Sequence, residues 1–127
     1  MEKQKYAAIV LAAGSGKRMN SQVHKQYLII QDRPVLYYSL KEFEDSAVDE
    51  IVLVVGKGEE KFCRKEIVDK YGISKVKAIV EGGKERYHSV FEGLKQTSDA
   101  DYVLIHDGAR PFVNQDIIRR CMQEVQK

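Results

Sequence analysis

The chain has 127 residues, enough for one domain with a hydrophobic core. With 43% hydrophobic residues, 31% charged residues and a formal net charge of +2, it is typical of a globular protein and lacks the strong positive charge of a nucleic-acid-binding surface. It has no apolar run long enough to span a membrane, and residues 1–5 lack the apolar h-region of a signal peptide, so we expect a cytoplasmic protein that binds neither nucleic acid nor membrane.

Four short apolar runs predict strands of a sheet, and the first two are expected to be buried. They cover residues 6–11, 51–55, 76–80 and 102–105. Each run precedes a segment whose apolar residues recur at helical spacing, namely 36, 40 and 43, then 63, 67, 68 and 71, then 87, 90, 91 and 94, and finally 117, 118, 121, 122 and 125. This alternation predicts one α/β domain, residues 1–127, with a doubly wound, mostly parallel sheet in three layers.

The predicted helices have two capping residues and contain both cysteines. Asp32 is expected to cap the first helix, with Pro34 in its first turn, and Asn114 to cap the fourth. Cys63 and Cys121 lie far apart and lack metal-ligand spacing, so we expect both to be reduced residues of the core.

The first predicted strand leads into a loop of small residues and cations, Ala12-Ala13-Gly14-Ser15-Gly16-Lys17-Arg18. Small residues let backbone N–H groups approach phosphate oxygens, and cations neutralise the phosphate charge. We therefore expect a nucleoside triphosphate site, with Arg18 and Lys25 close to the reacting phosphorus. The alternative is a tight turn with incidental lysines, because the loop matches neither the P-loop nor the dinucleotide-binding glycine pattern.

Two further polar segments follow predicted strands, and in doubly wound sheets ligands bind beyond the carboxyl ends of the strands. Asp107 can hold Mg²⁺ or another divalent cation, although it could equally be a turn residue before Gly108. Arg110 can bind phosphate or pair with Asp107. His106 is expected to satisfy a hydrogen bond at the strand end and not to act as a base.

The segment after the third strand contains Gly82-Gly83, against whose backbone a flat nucleobase could lie, and Ser89, which could bond the edge of a base. The alternative is an ordinary helix entry, in which Glu85 favours the positive end of the helix. The sequence has no Ser/His/Asp or Cys/His set for covalent catalysis. Its cations and single well-placed acid favour phosphoryl or nucleotidyl transfer, in which positioning and charge neutralisation dominate.

Four motifs in order resemble those of the 2-C-methyl-D-erythritol 4-phosphate cytidylyltransferase family, which acts in non-mevalonate isoprenoid biosynthesis. They are Leu11-Ala-Ala-Gly-Ser-Gly-Lys-Arg-Met19, His24-Lys-Gln-Tyr27, Gly82-Gly-Lys-Glu-Arg86 with Ser89, and His106-Asp-Gly-Ala-Arg-Pro-Phe112. The resemblance covers essentially the whole chain. It implies a Rossmann-like nucleotidyltransferase fold and transfer of a cytidylyl group from CTP to methylerythritol 4-phosphate, with release of pyrophosphate.

The resemblance also implies residue roles. Arg18 and Lys25 would neutralise charge that develops at the α-phosphate and the pyrophosphate, and residues 12–16 would wrap the base and phosphates. Cytosine would be read by Gly83, Lys84 and Ser89. Asp107 would contact Mg²⁺ or the ribose, and Arg110 would border the site.

The family's chain is substantially longer than this one. The resemblance therefore implies a fold that is incomplete at the C-terminus, apolar faces left exposed, and a homodimer in the full-length protein. We expect these 127 residues alone to be inactive or weak as an enzyme.

The Ala12-Ala13 pair and Lys25-Gln-Tyr27 favour methylerythritol phosphate over the closest rival, a ribitol-5-phosphate cytidylyltransferase. The function of a sugar-1-phosphate nucleotidylyltransferase fits the motifs less well than either of these. A noncatalytic nucleotide-binding module is a further alternative.

Overall fold

A computed structural model of the chain describes residues 4–12, 29–30, 33–83, 85–108 and 114–125. Its strands are β1 (Tyr6–Leu11), β2 (Ile29–Ile30), β3 (Arg33–Pro34), β4 (Glu50–Val55), β5 (Val76–Glu81) and β6 (Tyr102–Asp107). Its helices are α1 (Val35–Glu44), α2 (Glu60–Cys63), α3 (Arg86–Lys95) and α4 (Gln115–Val125), and a π-helical segment, Arg64–Asp69, continues α2.

Four parallel strands form the central sheet, in the order β5-β4-β1-β6. These are the four predicted strands, and helices pack on both faces, so the predicted doubly wound α/β fold in three layers is confirmed. After β5 the chain crosses back over β4 and β1 and adds β6 on the far side of β1. The strand order therefore reverses between β1 and β6, which is where ligands bind in sheets of this kind.

A second, two-stranded antiparallel sheet pairs β2 with β3, and the sequence did not predict it. The expectation that Pro34 lies in the first turn of a helix is wrong, because Pro34 belongs to β3 and α1 begins at Val35. Proline suits a short edge strand, since its fixed φ is compatible with extended backbone and it has no N–H to donate. Asp32, the expected cap, lies outside the described residues.

The two faces of the sheet carry unequal cores because the side chains of each strand alternate between them. Residues such as Val10 and Leu53 face α1, the α2 segment and α4, in a cluster that also buries Leu36, Leu40 and Ile118. The opposite face is covered by α3, over a smaller cluster of Ile9, Leu11, Val52 and Val54.

Helix α3 lies close to the sheet at Gly93, where an added Cβ would stand 2.8 Å from Ile9 Cγ2. Of its predicted apolar stripe, only Val90 packs against the sheet cluster. Tyr87, Phe91 and Leu94 are 68%, 59% and 42% exposed. The stripe therefore faces largely away from the described core.

Helix α4 is capped by Asn114, whose Oδ1 accepts a hydrogen bond from the Ile117 N–H at 3.0 Å, as predicted. The expectation of two core cysteines is half right: Cys63 is buried, but Cys121 is exposed. Cys121 is turned by about 60° from the buried Ile118 around the helix axis, which places it outside the contact that Ile118 makes. Among the described helices, none has the length and apolar character needed to cross a bilayer.

Charged side chains form a network at the amino ends of the strands. Lys5 Nζ lies 2.6 Å from an Asp99 carboxylate oxygen and 2.9 Å from Glu50 Oε1. Lys77 Nζ lies 3.1 Å from the other Glu50 oxygen, and the Lys5 backbone N–H donates to Asp101 Oδ2 at 2.6 Å. The side chain of Glu50 is only 10% exposed, so the two lysines compensate a carboxylate that has little access to water.

This network changes the proton affinity of its members. The hydrogen bond from Lys5 is the main cause that lowers the pKa of Asp99. The same contact, followed by the hydrogen bond to Glu50, raises the pKa of Lys5 above its ordinary value. Both groups are therefore held in their charged forms in the folded protein.

Candidate functional site

The carboxyl ends of the four parallel strands form one edge of the sheet, and backbone hydrogen bonds join the residues that leave them. These bonds run from Ala12 N–H to the Val54 carbonyl (2.6 Å), from Gly82 N–H to the Val55 carbonyl (2.8 Å), and from Gly108 N–H to the Leu11 carbonyl (2.8 Å). The three segments that the sequence singled out thus begin in one continuous row. From β5 to β6 this row spans three strand spacings, about 14 Å.

Asp107 ends β6 directly beside the start of the glycine-rich loop, because it pairs in register with Leu11. It is exposed, and because side chains alternate along a strand it lies on the same face as Val103. Val103 packs in the cluster under α3. Asp107 therefore lies on the α3 face of this edge, the face on which the Gly82-Gly83 segment enters α3. This placement brings the predicted acid and the predicted base-binding segment to the same side of the sheet.

Gly108 leaves no room for a side chain after Asp107. An added Cβ would lie 2.7 Å from Leu36 Cδ1, 3.1 Å from Val10 Cγ1 and 3.2 Å from the Leu11 carbonyl oxygen. Glycine thus lets the chain pass tightly against β1 and the first helix. This close approach fixes where the Asp107 segment leaves the sheet.

His106 points to the opposite face from Asp107. Its Nε2 lies 3.3 Å from Ser39 Oγ, and its ring stands 5.6 Å from the Phe43 ring. Both neighbours belong to α1, so the interpretation of His106 as a hydrogen-bonded residue at the strand end is confirmed.

The Gly82-Gly83 segment leads directly into the N-terminus of α3, where Glu85 is the N-cap residue. The Glu85 backbone N–H donates to His88 Nδ1 at 3.3 Å, and Glu85 and His88 form a capping box. Ser89, one residue later, is 2% exposed and faces the sheet. The helix-entry interpretation is therefore correct for Glu85, and it is compatible with a base that lies against the glycine backbone.

Two glutamates at this edge are held by loop amides, a feature that the sequence analysis missed. Gly58 N–H donates to Glu81 Oε2 at 2.7 Å, and Gly56 N–H donates to Glu59 Oε1 at 3.1 Å. Gly58 has φ +80°, a conformation that favours glycine. The sequence signal that could have indicated these bonds is the pair of glycines at 56 and 58, together with the acids Glu59 and Glu81. The bond to Glu81 ties the loop after β4 to the end of β5, and the bond to Glu59 lies within that loop.

The residues that the structure describes include no group of three or more His, Cys, Asp or Glu side chains that could hold a metal ion. Asp107 supplies one carboxylate, at the edge where phosphates are predicted to bind. Mg²⁺ commonly uses one or two carboxylates and completes its shell with substrate phosphates and water. The site therefore fits a divalent ion that is held jointly with a nucleotide.

The structure brings Ala12, Gly83, Ser89 and Asp107 to one edge of the sheet. The other predicted site residues lie outside the described part of the chain: Ala13, Gly14, Ser15, Gly16, Arg18, Lys25, Lys84 and Arg110. The roles assigned to both groups stay predictions.

Known proteins with similar sequences match most of the chain. A sequence profile of the family described as 2-C-methyl-D-erythritol 4-phosphate cytidylyltransferase matches residues 6–127. The protein of that name from Lachnoclostridium phytofermentans is 53% identical over 124 residues, which are 98% of this chain and 53% of the relative. The chain spans about half the length of the curated relatives that it matches.

Solved structures give the same result for the fold. The 4-diphosphocytidyl-2C-methyl-D-erythritol synthase of Anaerococcus prevotii has a TM-score of 0.78 and 32% identity to this chain, covering 98% of it and 52% of that protein. A Mycobacterium tuberculosis protein in complex with manganese has a TM-score of 0.71 at 22% identity, covering 94% of this chain and 59% of its own. This second likeness concerns the fold alone.

Proposed function

Because this chain belongs to the 2-C-methyl-D-erythritol 4-phosphate cytidylyltransferase family, we propose that it forms the nucleotide-binding part of an enzyme that transfers a cytidylyl group from CTP to 2-C-methyl-D-erythritol 4-phosphate. The reaction releases pyrophosphate and belongs to non-mevalonate isoprenoid biosynthesis. The observation that supports it best is the row of backbone hydrogen bonds that joins the starts of the three motif segments at one edge of the sheet.

The proposed step is an in-line displacement at phosphorus. An oxygen of the acceptor phosphate forms a bond to the α-phosphorus of CTP, while the bond from that phosphorus to the pyrophosphate oxygen breaks. Negative charge increases on the α-phosphate oxygens and on the leaving pyrophosphate. Arg18 and Lys25 neutralise this charge, and the backbone N–H groups of residues 12–16 bind the phosphates.

Nucleobase binding falls to the segment that enters α3. The Gly82-Gly83 backbone offers a flat, side-chain-free surface, and Lys84 and Ser89 complete the proposed cytosine contacts. Asp107, on the same face, holds a divalent cation or the ribose. When bound, Mg²⁺ would screen the phosphate charge.

The acceptor and the assembly concern parts of the family's chain beyond these residues. We propose methylerythritol phosphate as the acceptor and a homodimer as the assembly of the full-length protein. These 127 residues alone are proposed to be a weak enzyme or inactive. The cytoplasmic location stays a prediction from the sequence.

The test is turnover of CTP by the natural protein that carries these residues, with methylerythritol 4-phosphate and, separately, ribitol 5-phosphate. Arg18→Ala and Lys25→Ala should each lower kcat about 10²–10³-fold, with a much smaller change in CTP affinity. Lys57→Ala is the matched control, because Lys57 is an exposed lysine at the same edge with no proposed role. It should keep wild-type turnover.

The competing functions give different outcomes. A preference for ribitol 5-phosphate would identify that compound as the acceptor and leave the proposed nucleotide site unchanged. CTP binding without turnover, weakened by Arg18→Ala, would indicate a noncatalytic nucleotide-binding module. Equal turnover by the wild type and both variants would overturn the proposed roles of Arg18 and Lys25.

A further inference from the structure

We propose that His88 is a positioning residue for the nucleobase: its side chain holds the backbone on both sides of Lys84, and so fixes the segment that binds cytosine. This inference rests on the proposed function, and it adds a residue to which the sequence analysis assigned no role in binding. His88 lies in the first turn of α3, on a helix that directly follows the Gly82-Gly83 segment.

The first observation concerns Gly83. A Cβ added to Gly83 would lie 2.3 Å from His88 Cβ, 2.9 Å from His88 Cγ and 3.3 Å from His88 Nδ1. The histidine side chain therefore occupies the space into which any side chain at residue 83 would project. Gly83 must be glycine because of this approach, and its backbone is supported from behind by His88.

The second observation concerns Glu85. Its backbone N–H donates to His88 Nδ1 at 3.3 Å, which satisfies a donor that the helix itself leaves unpaired. Gly83 and Glu85, the two neighbours of Lys84 in the sequence, thus both lie against the His88 side chain. A single side chain sets the path of the backbone on either side of a proposed cytosine-binding residue.

The third observation is that His88 belongs to a fixed support. Ser89 is 2% exposed, and an added Cβ at Gly93 would stand 2.8 Å from Ile9 Cγ2 and 3.3 Å from Val54 Cγ2. Helix α3 is therefore held tightly on the central strands, and His88 connects this rigid helix to the glycine segment. Binding groups in a loop are positioned best by side chains that a regular element holds in place.

The experiment compares His88→Ala and His88→Gln in the natural protein that contains these residues. Alanine removes the acceptor for the Glu85 N–H, whereas glutamine at this helix position can reach back to it. For His88→Ala we expect KM for CTP to rise about tenfold, as for the loss of one helix-capping interaction. The preference for CTP over UTP should fall, while KM for the acceptor and kcat change less than about threefold.

His88→Gln should restore most of the CTP affinity. Lys95→Ala, an exposed position at the far end of the same helix, is the control and should keep the wild-type KM. Amide hydrogen exchange at Glu85 gives a readout independent of turnover: it should be faster in His88→Ala than in the wild type or His88→Gln.

Each contrary result has a distinct meaning. An active His88→Ala enzyme with unchanged KM and unchanged nucleotide preference would overturn the role of His88 and leave the proposed function standing. If His88→Ala and His88→Gln raised KM for CTP equally, the hydrogen bond from the Glu85 N–H could not be the contact through which His88 acts. A wild-type protein that transfers no cytidylyl group would overturn the proposed function, and the inference with it.

Discussion

The two ends of the parallel sheet are built from different chemical groups. At the amino ends, Lys5, Glu50, Lys77 and Asp99 neutralise one another within the protein. At the carboxyl ends, glycines and backbone amides converge, and Asp107 stands exposed beside β1. One end therefore carries ion pairs that contribute to stability, while the other carries the segments to which the proposed nucleotide contacts belong.

Experiments can separate the role of each end of the sheet. Substitutions at the amino ends should change stability, and its dependence on pH and salt, without changing nucleotide affinity. Substitutions of the proposed site residues at the carboxyl ends should change nucleotide affinity, and substitutions there that also disturb packing should change both affinity and stability.

Gly108→Ala should have the largest effect on folding. Its methyl group would press on Leu36 and Val10 in the core, and overpacking of this kind typically costs about 1–3 kcal/mol. CTP affinity should fall as well, because Asp107 immediately precedes the displaced residue. Urea denaturation and CTP titration measure the two effects.

Gly56→Ala is the matched control for Gly108→Ala at the same edge of the sheet. There the added Cβ meets the end of the Glu59 side chain, which is flexible and can move aside with loss of its hydrogen bond from the Gly56 N–H. The cost should stay below about 1 kcal/mol. Equal destabilisation by both substitutions would contradict the packing argument at Gly108.

Glu50→Gln should have an intermediate effect that is confined to stability. It keeps the volume of the side chain but removes the charge that compensates Lys5 and Lys77, with an expected cost of about 1–2 kcal/mol. Glu60→Gln, an exposed glutamate, should cost less than about 0.5 kcal/mol. A change in CTP affinity on Glu50→Gln would break the proposed separation of the two ends.

Asp99→Asn should have the smallest effect, visible mainly as a change in pH dependence. The pKa of Asp99 is lowered by Lys5, so the folded state binds this proton less readily than the unfolded state does. The stability gained is present above the ordinary pKa of 3.8 and is lost as the pH falls through the lower, folded value.

The wild type and Asp99→Asn should therefore differ at neutral pH and converge in acid. The difference should also shrink at high salt, because Asp99 is exposed. Denaturation midpoints measured between pH 2 and pH 7 test this, with about 0.1 M and about 1 M salt as the two conditions. A difference that grows in acid would reverse the assigned sign.

The fold could be predicted because its main signals are local. Strand β4 is buried at every position from 50 to 55, and the continuous apolar run at its residues 51–55 indicates a central strand. The pair of β2 and β3 could not be predicted, since two residues per strand show no periodicity. Cys121 was misjudged because helical spacing places a residue on a face but does not show where the covering layer ends.

The candidate site was predictable to the extent that topology determines it. The rule that ligands bind at the carboxyl ends of parallel strands correctly brought Ala12 and Asp107 to one edge. The contacts of His88 with Gly83, and of Glu81 with Gly58, depend on the exact approach of a loop to a helix or a strand. The network at the amino ends also joins residues that are distant in sequence, such as Lys5 and Asp99, and no local sequence pattern predicts it.

The central position of β1 has a consequence for the order in which the protein is made. Of the described strands it is synthesised first, yet it pairs with β4 on one edge and with β6 on the other. Its second edge cannot be paired with β6 until Asp107 has been synthesised, so the edge of an apolar strand stays open while residues 12–107 are made. We expect nascent chains that stop before β6 to be prone to aggregation, and the pairing of β1 with β6 to close the second edge of β1.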